Sequence, residues 1–315
     1  MPIAQDAQTL WLMAGVFGFL TIASAVGYVL GRRTAAADQS TRATVANLNA
    51  RLRAWWVIVT VCAVALLLGR TGACVLFGLA SFWALREFIT LTPTRPGDHR
   101  ALFWVFFVIT PLQYVLVAVQ WYGLFIILIP VYAFLFIPVR MALCGEYEHF
   151  LERAARTQWG LMICVYCVSH APALLTLPLA NGGGPKLLLF FLLIVQLSDV
   201  FQYIWGKLLG RHQIAPRISP KKTWEGFVGG IGTATALGTA LWWATPFNPW
   251  QAAGMSLTIT LLGFAGGLVM SAIKRDRGVK DYGTLIEGHG GVLDRIDSIC
   301  FAAPVFFHLT RYFFT

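Results

Sequence analysis

Long apolar runs separated by short polar connections dominate this chain. The runs lie near residues 10–30, 54–69, 72–88, 102–119, 122–139, 158–178, 187–209, 226–246, 251–273 and 296–313. Most approach the roughly 20 residues that a helix needs to cross a bilayer. The pattern predicts an all-α, polytopic integral membrane bundle of about ten transmembrane helices. The second and third runs are parted only by Gly69-Arg70-Thr71-Gly72, which predicts a tight hairpin. No basic stretch precedes the first run and Asp6 stands before it, so it reads as a retained helix and not as a cleaved signal.

Two stretches break the pattern. Arg33–Arg53 is rich in Ala, Thr and Arg and predicts a mobile or surface-lying cytoplasmic linker, spanning residues 31–53. Cys144–Thr157 mixes Glu146, Glu148, Glu152, Arg153 and Arg156 with apolar residues and predicts an interfacial helix. The chain divides into an N-terminal transmembrane half, 1–180, and a C-terminal catalytic region, 181–315. The latter has cytoplasmic loops at 210–225 and 274–295. Little chemistry is expected of the first half.

Composition narrows the class. The chain is 57% hydrophobic and 12% charged, which no ordinary soluble domain is. Its net charge of +10 is spread over the connections and forms no single patch, so nucleic acid is not expected as a partner. Arg32, Arg33, Arg42, Arg51, Arg53, Arg95, Arg100, Arg140, Arg153, Arg156, Arg211, Arg217, Lys221, Lys222, Lys274, Arg275, Arg277 and Lys280 all fall on one side of a ten-span topology. By the positive-inside rule that side is the cytoplasm, and its basic character suits anionic membrane lipids. The six cysteines are scattered, and the Cys164-x-x-Cys167 pair lies in an apolar run where core packing explains it.

Candidate chemistry gathers late in the chain. Ser271–Ser298 interleaves Lys274, Arg275, Lys280 and Arg295 with Asp281, Asp294 and Asp297, and adds Gly288-His289-Gly290-Gly291. Cations and backbone N–H groups suit phosphates, and a few carboxylates suit a divalent metal. Asp294 and Asp297 share a helix face at the start of the last span. His289 is placed to donate to a phosphate or to move a proton. Upstream, Asp199 lies within an apolar run, where a carboxylate is costly without a partner or polar cavity. The loop after it delivers Arg217, Ser219, Lys221, Lys222 and Thr223 ahead of a helix start at Trp224–Glu225. The two stretches together point to a metal–nucleotide site at the cytoplasmic surface.

Ser271, Ile273, Lys274, Arg275, Lys280, Asp281, Gly283, Ile286, His289, Gly290, Gly291, Val292, Asp294, Arg295, Ile296 and Asp297 follow the spacing of the phosphatidate cytidylyltransferases, also called CDP-diacylglycerol synthases. Ser198–Gly230, with Asp199, Tyr203 and Ser219-Pro220-x-Lys222-Thr223-x-x-Gly226, also resembles that family. Glu287 stands where the family has Pro or Gly, and Gln202 where Ala is more usual. The resemblance is specific over roughly Leu187–Phe313.

What the resemblance implies is transfer of the cytidylyl group of CTP to phosphatidic acid, giving CDP-diacylglycerol and pyrophosphate, in a bacterial inner membrane. It implies Mg²⁺ or another divalent cation on Asp199, Asp281 and Asp294, with Asp297 as a close alternative. Asp281, Asp294, Asp297, Lys280 and His289 become the catalytic set. Ser219, Lys221, Lys222, Thr223, Lys274, Arg275, Gly290, Gly291 and Arg295 become substrate-binding residues. A CTP-dependent lipid kinase, a cytidylyltransferase for a related lipid phosphate, and a non-catalytic lipid-binding or transport relative are the alternatives. A homodimer is compatible with such a bundle.

Overall fold

A computed structural model describes residues 7–34, 38–179, 183–283 and 290–315, with the side chains of 40 and 41 left out. Eight described helices are long and apolar enough to cross a membrane. They are α1 (Ala7–Arg33), α2 (Gln39–Leu67), α3 (Gly69–Thr90), α4 (Asp98–Ala118), α5 (Tyr122–Ala142), α6 (Phe150–Thr176), α7 (Gly184–Leu209) and α9 (Pro249–Asp276). Two more complete the expected order, α8 (Trp224–Ala240) and α10 (Leu293–Phe314). Asp294, Arg295 and Asp297 crowd the first turns of α10 and lower its apolar character. The protein is an all-α polytopic membrane protein.

Local chemistry sets the helix ends. Gly69 at φ +76° turns α2 into α3, a conformation that favours glycine, and the expected hairpin forms there. Asn248 and Gln251 make a reciprocal capping box at the start of α9, with Pro249 at the first helical position. The Thr223 side chain accepts the Gly226 N–H (3.2 Å) and so caps α8. Three helices of the N-terminal half contain π-helical segments, at Val105–Ile109, Leu128–Ala133 and Met162–Cys167. Pro130 lies inside the second, and Thr110 Oγ1 donates to the Val105 carbonyl (2.8 Å) at the end of the first.

Two expectations are corrected. Arg33–Arg53 is not a loose linker, because α2 begins at Gln39 and runs unbroken to Leu67. Its Ala- and Arg-rich start has good helix propensity even without an apolar face. The loop at 210–225 contains a short antiparallel ribbon, β1 (Gln213–Ala215) with β2 (Ser219–Thr223). Cys144–Thr157 does yield polar helix, but as the first turns of α6. Charges there are paired more than free. Arg153 reaches Asp98 (3.5 Å) and Glu146 (3.0 Å), and Arg95 reaches Glu148 (2.6 Å).

Packing follows membrane rules, in which small residues let helices approach and van der Waals contact holds them. A side chain at Gly230 of α8 would collide with the Gln202 backbone of α7, and one at Gly266 of α9 would meet the Asp297 carbonyl of α10 at 2.7 Å. Those approaches hold α8 against α7 and α9 against α10. The α6 helix is the most enclosed, with α3 and α10 packed against it, while α1 and α2 form a peripheral, lipid-facing hairpin. Phe191 stacks on Phe306 (5.3 Å between centroids) in the core joining α7 to α10.

Candidate active site

Helices α7 and α9 and the ribbon converge on the first turns of α10. Asp199 comes from α7, Lys222 from β2, Lys274 and Gly267 from α9, and Asp297 and Ser298 from α10. Ser298 Oγ donates to Asp199 Oδ2 (2.7 Å) and lies 3.4 Å from Asp297 Oδ1, which also accepts the Ser298 N–H (2.8 Å). Each carboxylate therefore keeps one oxygen without a hydrogen bond among the described residues. A Cβ at Gly267 would lie 3.0 Å from Lys222 Nζ, 3.8 Å from Ser298 Oγ and 3.9 Å from Asp297 Oδ2. One small space is thus ringed by two carboxylates, a hydroxyl and an ammonium, and glycine keeps it open.

Lys222 is half-buried, with its ammonium 4.4 Å from the Phe264 ring centroid. Burial pulls its pKa below the usual lysine value, while Asp199 and Asp297 pull it back up. A lysine held there is a charge aimed at the enclosed space.

Asp294 belongs to a second cluster. Its Oδ1 pairs with Lys274 Nζ (2.8 Å), and its Oδ2 accepts the N–H groups of Tyr282 (2.8 Å) and Gly291 (2.9 Å). Gly290, at φ +82°, sits against both Asp294 and Asp281, and a Cβ there would meet Asp294 Oδ2 at 2.8 Å and Asp281 Cβ at 3.2 Å. The expected metal set of Asp199, Asp281 and Asp294 is therefore divided. Asp199 lies with Asp297 around Ser298, and Asp281 lies with Asp294 around Gly290. Among the described residues no three Asp, Glu, His or Cys side chains gather as one metal-binding group. The Asp199–Asp297 pair suits a divalent cation, because two carboxylates with open oxygens beside a small polar space leave room for water and phosphate.

Other expected residues have partners of their own. Arg275 Nε donates to the Ile218 carbonyl (3.1 Å), tying α9 to the ribbon. The Thr223 hydroxyl is the cap of α8, and the Gly291 N–H is held by Asp294. Lys221, Lys280 and Asp281 are exposed, Ser219 half-buried at the start of β2, and Arg295 half-buried on the first turn of α10. His289, with Glu287, lies outside the described residues.

One residue of the site was not among those expected from the sequence. Glu87, at the end of α3, is 6% exposed and accepts the N–H groups of Val292 (3.0 Å) and Leu293 (2.8 Å). It sits in an apolar run of the half from which little chemistry was expected. Its one readable sign was a carboxylate inside that run. A cleft at the opposite end of α10, lined by Tyr122, His308, Arg311 and Tyr312, contains no carboxylate.

Residues 49–313 match the model of the cytidylyltransferase family. The chain belongs to that family. It is a membrane nucleotidyltransferase by that membership. This family member is 42% identical over 271 residues to "Uncharacterized protein YnbB" of Escherichia coli (strain K12), covering 84% of this chain and 88% of that protein. It is 40% identical over 169 residues to a phosphatidate cytidylyltransferase of Mycobacterium leprae (strain TN), covering 53% of each chain. It is 43% identical over 127 residues to one of Staphylococcus aureus (strain COL), covering 40% of this chain and 49% of that protein. The matches to named phosphatidate cytidylyltransferases thus span about half of those proteins. The resemblance noted in the sequence and the family match agree.

Proposed function

We propose that the chain transfers the cytidylyl group of CTP to phosphatidic acid at the cytoplasmic face of a bacterial inner membrane, releasing pyrophosphate. The observation that carries this reading is the space at Gly267, where Asp199, Asp297, Ser298 and Lys222 converge between apolar helices. In this reading the nucleotide approaches that cluster from the aqueous side and the lipid phosphate from the bilayer.

In this reading a lipid phosphate oxygen attacks the α-phosphorus of CTP. The bond from that phosphorus to the oxygen bridging the β-phosphate breaks, and pyrophosphate leaves. A phosphate monoester is already anionic near neutral pH, so the reaction needs no strong general base. The protein's work is alignment and charge neutralisation. Asp199 and Asp297 would hold a divalent cation, which supplies charge neutralisation for the nucleotide phosphates when bound. Lys222 faces the same space, and Lys274 stands nearby in its pair with Asp294. Lys221, Lys280 and Arg217, exposed on the ribbon and the loop after α9, are free to meet the outer phosphates. His289 is assigned a hydrogen bond to a phosphate oxygen, and Asp281 a supporting role beside Asp294.

Pyrophosphate release from Mg²⁺-CTP by purified protein tests the acceptor, with phosphatidic acid set beside a panel of polyprenyl and ether-lipid phosphates. Release that depends on phosphatidic acid supports the assignment. Release with another lipid phosphate and none with phosphatidic acid overturns it.

A further inference from the structure

We propose that Glu87 is a positioning residue: from α3 it fixes the first turn of α10 and so sets where Asp297 and Ser298 stand. The inference rests on the cytidylyl-transfer reading of that site.

A helix start leaves its first N–H groups without intrahelical partners. In α10 these are met by a side chain about two hundred residues earlier in sequence. Both oxygens of Glu87 are used, one for each of the N–H groups of Val292 and Leu293. Among the described residues no Lys or Arg is paired with Glu87, so its charge is balanced by aligned backbone dipoles at the helix start. The loop is shaped to receive it. A Cβ at Gly283 would lie 2.7 Å from Glu87 Oε1, and one at Gly291 would lie 2.6 Å from Glu87 Cδ. These two glycines, of which the sequence suggests Gly291 as phosphate-cradling or flexible, make room for a carboxylate of the protein itself.

Glu87 and Asp294 act on adjacent groups. Asp294 takes the N–H groups of Tyr282 and Gly291, and Glu87 takes those of Val292 and Leu293. With these four occupied, none of them is left for a substrate phosphate, and anion recognition falls to side chains: the cations of the ribbon, of α9 and of the loop after it, with His289. The anchor itself is rigid. Phe88 and Leu85, beside Glu87, pack against Gly160 of α6, where a Cβ would meet Phe88 at 2.7 Å. Further along α3, Ser81 is bonded to Tyr114 of α4 (2.5 Å). Asp297 and Ser298 lie little more than one turn beyond the clamped N–H groups, so a shift of that turn carries directly to the Gly267 space.

Glu87→Gln keeps the size and removes one acceptor, placing an NH₂ group against a backbone N–H. The residue touches no substrate, so turnover should fall about 10–100-fold, as for other supporting hydrogen bonds around a metal site. The KM for CTP should stay within about threefold, because alignment is lost and nucleotide contacts are kept. Hydrogen exchange of the peptide holding Val292 and Leu293 should accelerate, while exchange in α7 should not. A Glu87→Gln protein with native turnover and native exchange overturns the proposal. So does one that melts earlier but turns over normally per folded molecule, since that marks a purely structural role. If the native protein makes no CDP-lipid, the functional reading fails, and the exchange measurement still decides whether Glu87 clamps α10.

Discussion

Asp297→Asn should stabilise the metal-free protein while abolishing turnover. Asp199 and Asp297 share one hydroxyl, at 2.7 and 3.4 Å. Their oxygens that face Ser298 are therefore no more than about 6 Å apart. Two unit charges at that distance, with an effective dielectric of ~20, repel by about 3 kcal/mol. Lys222 offsets part of this, so neutralising one carboxylate should return about 1–2 kcal/mol. Asparagine keeps an oxygen for the Ser298 N–H, so the local backbone bond survives. The assay is thermal unfolding in detergent, first with EDTA and then with Mg²⁺. Native protein should gain about 2.7 kcal/mol at a Mg²⁺ concentration one hundred times its Kd. The variant should start higher in EDTA and gain little from Mg²⁺. A lower starting midpoint, or an equal gain from Mg²⁺, would refute the reasoning that this pair is strained without a cation and built to hold one.

Asp294→Ala should do the reverse of Asp297→Asn. It strands Lys274 and two backbone N–H groups, and breaking such a buried pair costs about 3–5 kcal/mol, so the midpoint should fall along with activity. Gly291→Ala drives a methyl group into the Glu87 carboxylate and should cost about 1–3 kcal/mol. Gly232→Ala, inside α8 with open space around it, should leave turnover unchanged and raise the midpoint slightly, by about 0.4–1 kcal/mol. Glu225, at the membrane surface, accepts the N–H groups of Arg211 and His212 and the His212 ring, which together hold its pKa at about 2. Because that value is depressed, its stabilising effect is complete above the ordinary carboxylate value near ~4.3 and fades as pH falls through about 2. Glu225→Gln should therefore speed tryptic cleavage after Arg211 by the same factor at every pH from about 8 to 9, measured against cleavage after Arg100.

Much of the fold was legible because membrane spans are coded by long apolar runs and their ends by a few residues. Gly69 marked the α2–α3 hairpin that the structure has. The site was legible as a set of residues and less so as an arrangement. Asp294 and Asp297 share a face in sequence, yet the backbone of the preceding loop captures Asp294, leaving Asp297 to meet Asp199 across helices. Only tertiary packing decides which of two such carboxylates is enclosed by the protein's own N–H groups. Glu87 was hidden for the same reason. Its partners are backbone groups in a distant loop, and no local spacing announces a cap supplied from another helix. The ribbon at 213–223 was missed because three-residue and five-residue strands with Pro and Lys have almost no periodic signal.

The most direct test of the account is made with purified protein in lipid micelles, using phosphatidic acid, Mg²⁺ and CTP labelled at the α-phosphate or, separately, at the γ-phosphate. The account predicts that the α-label enters the lipid, that the γ-label leaves in pyrophosphate, and that Asp297→Asn abolishes both. The γ-label entering the lipid with release of CDP, or α-label transfer undiminished in Asp297→Asn, would contradict it.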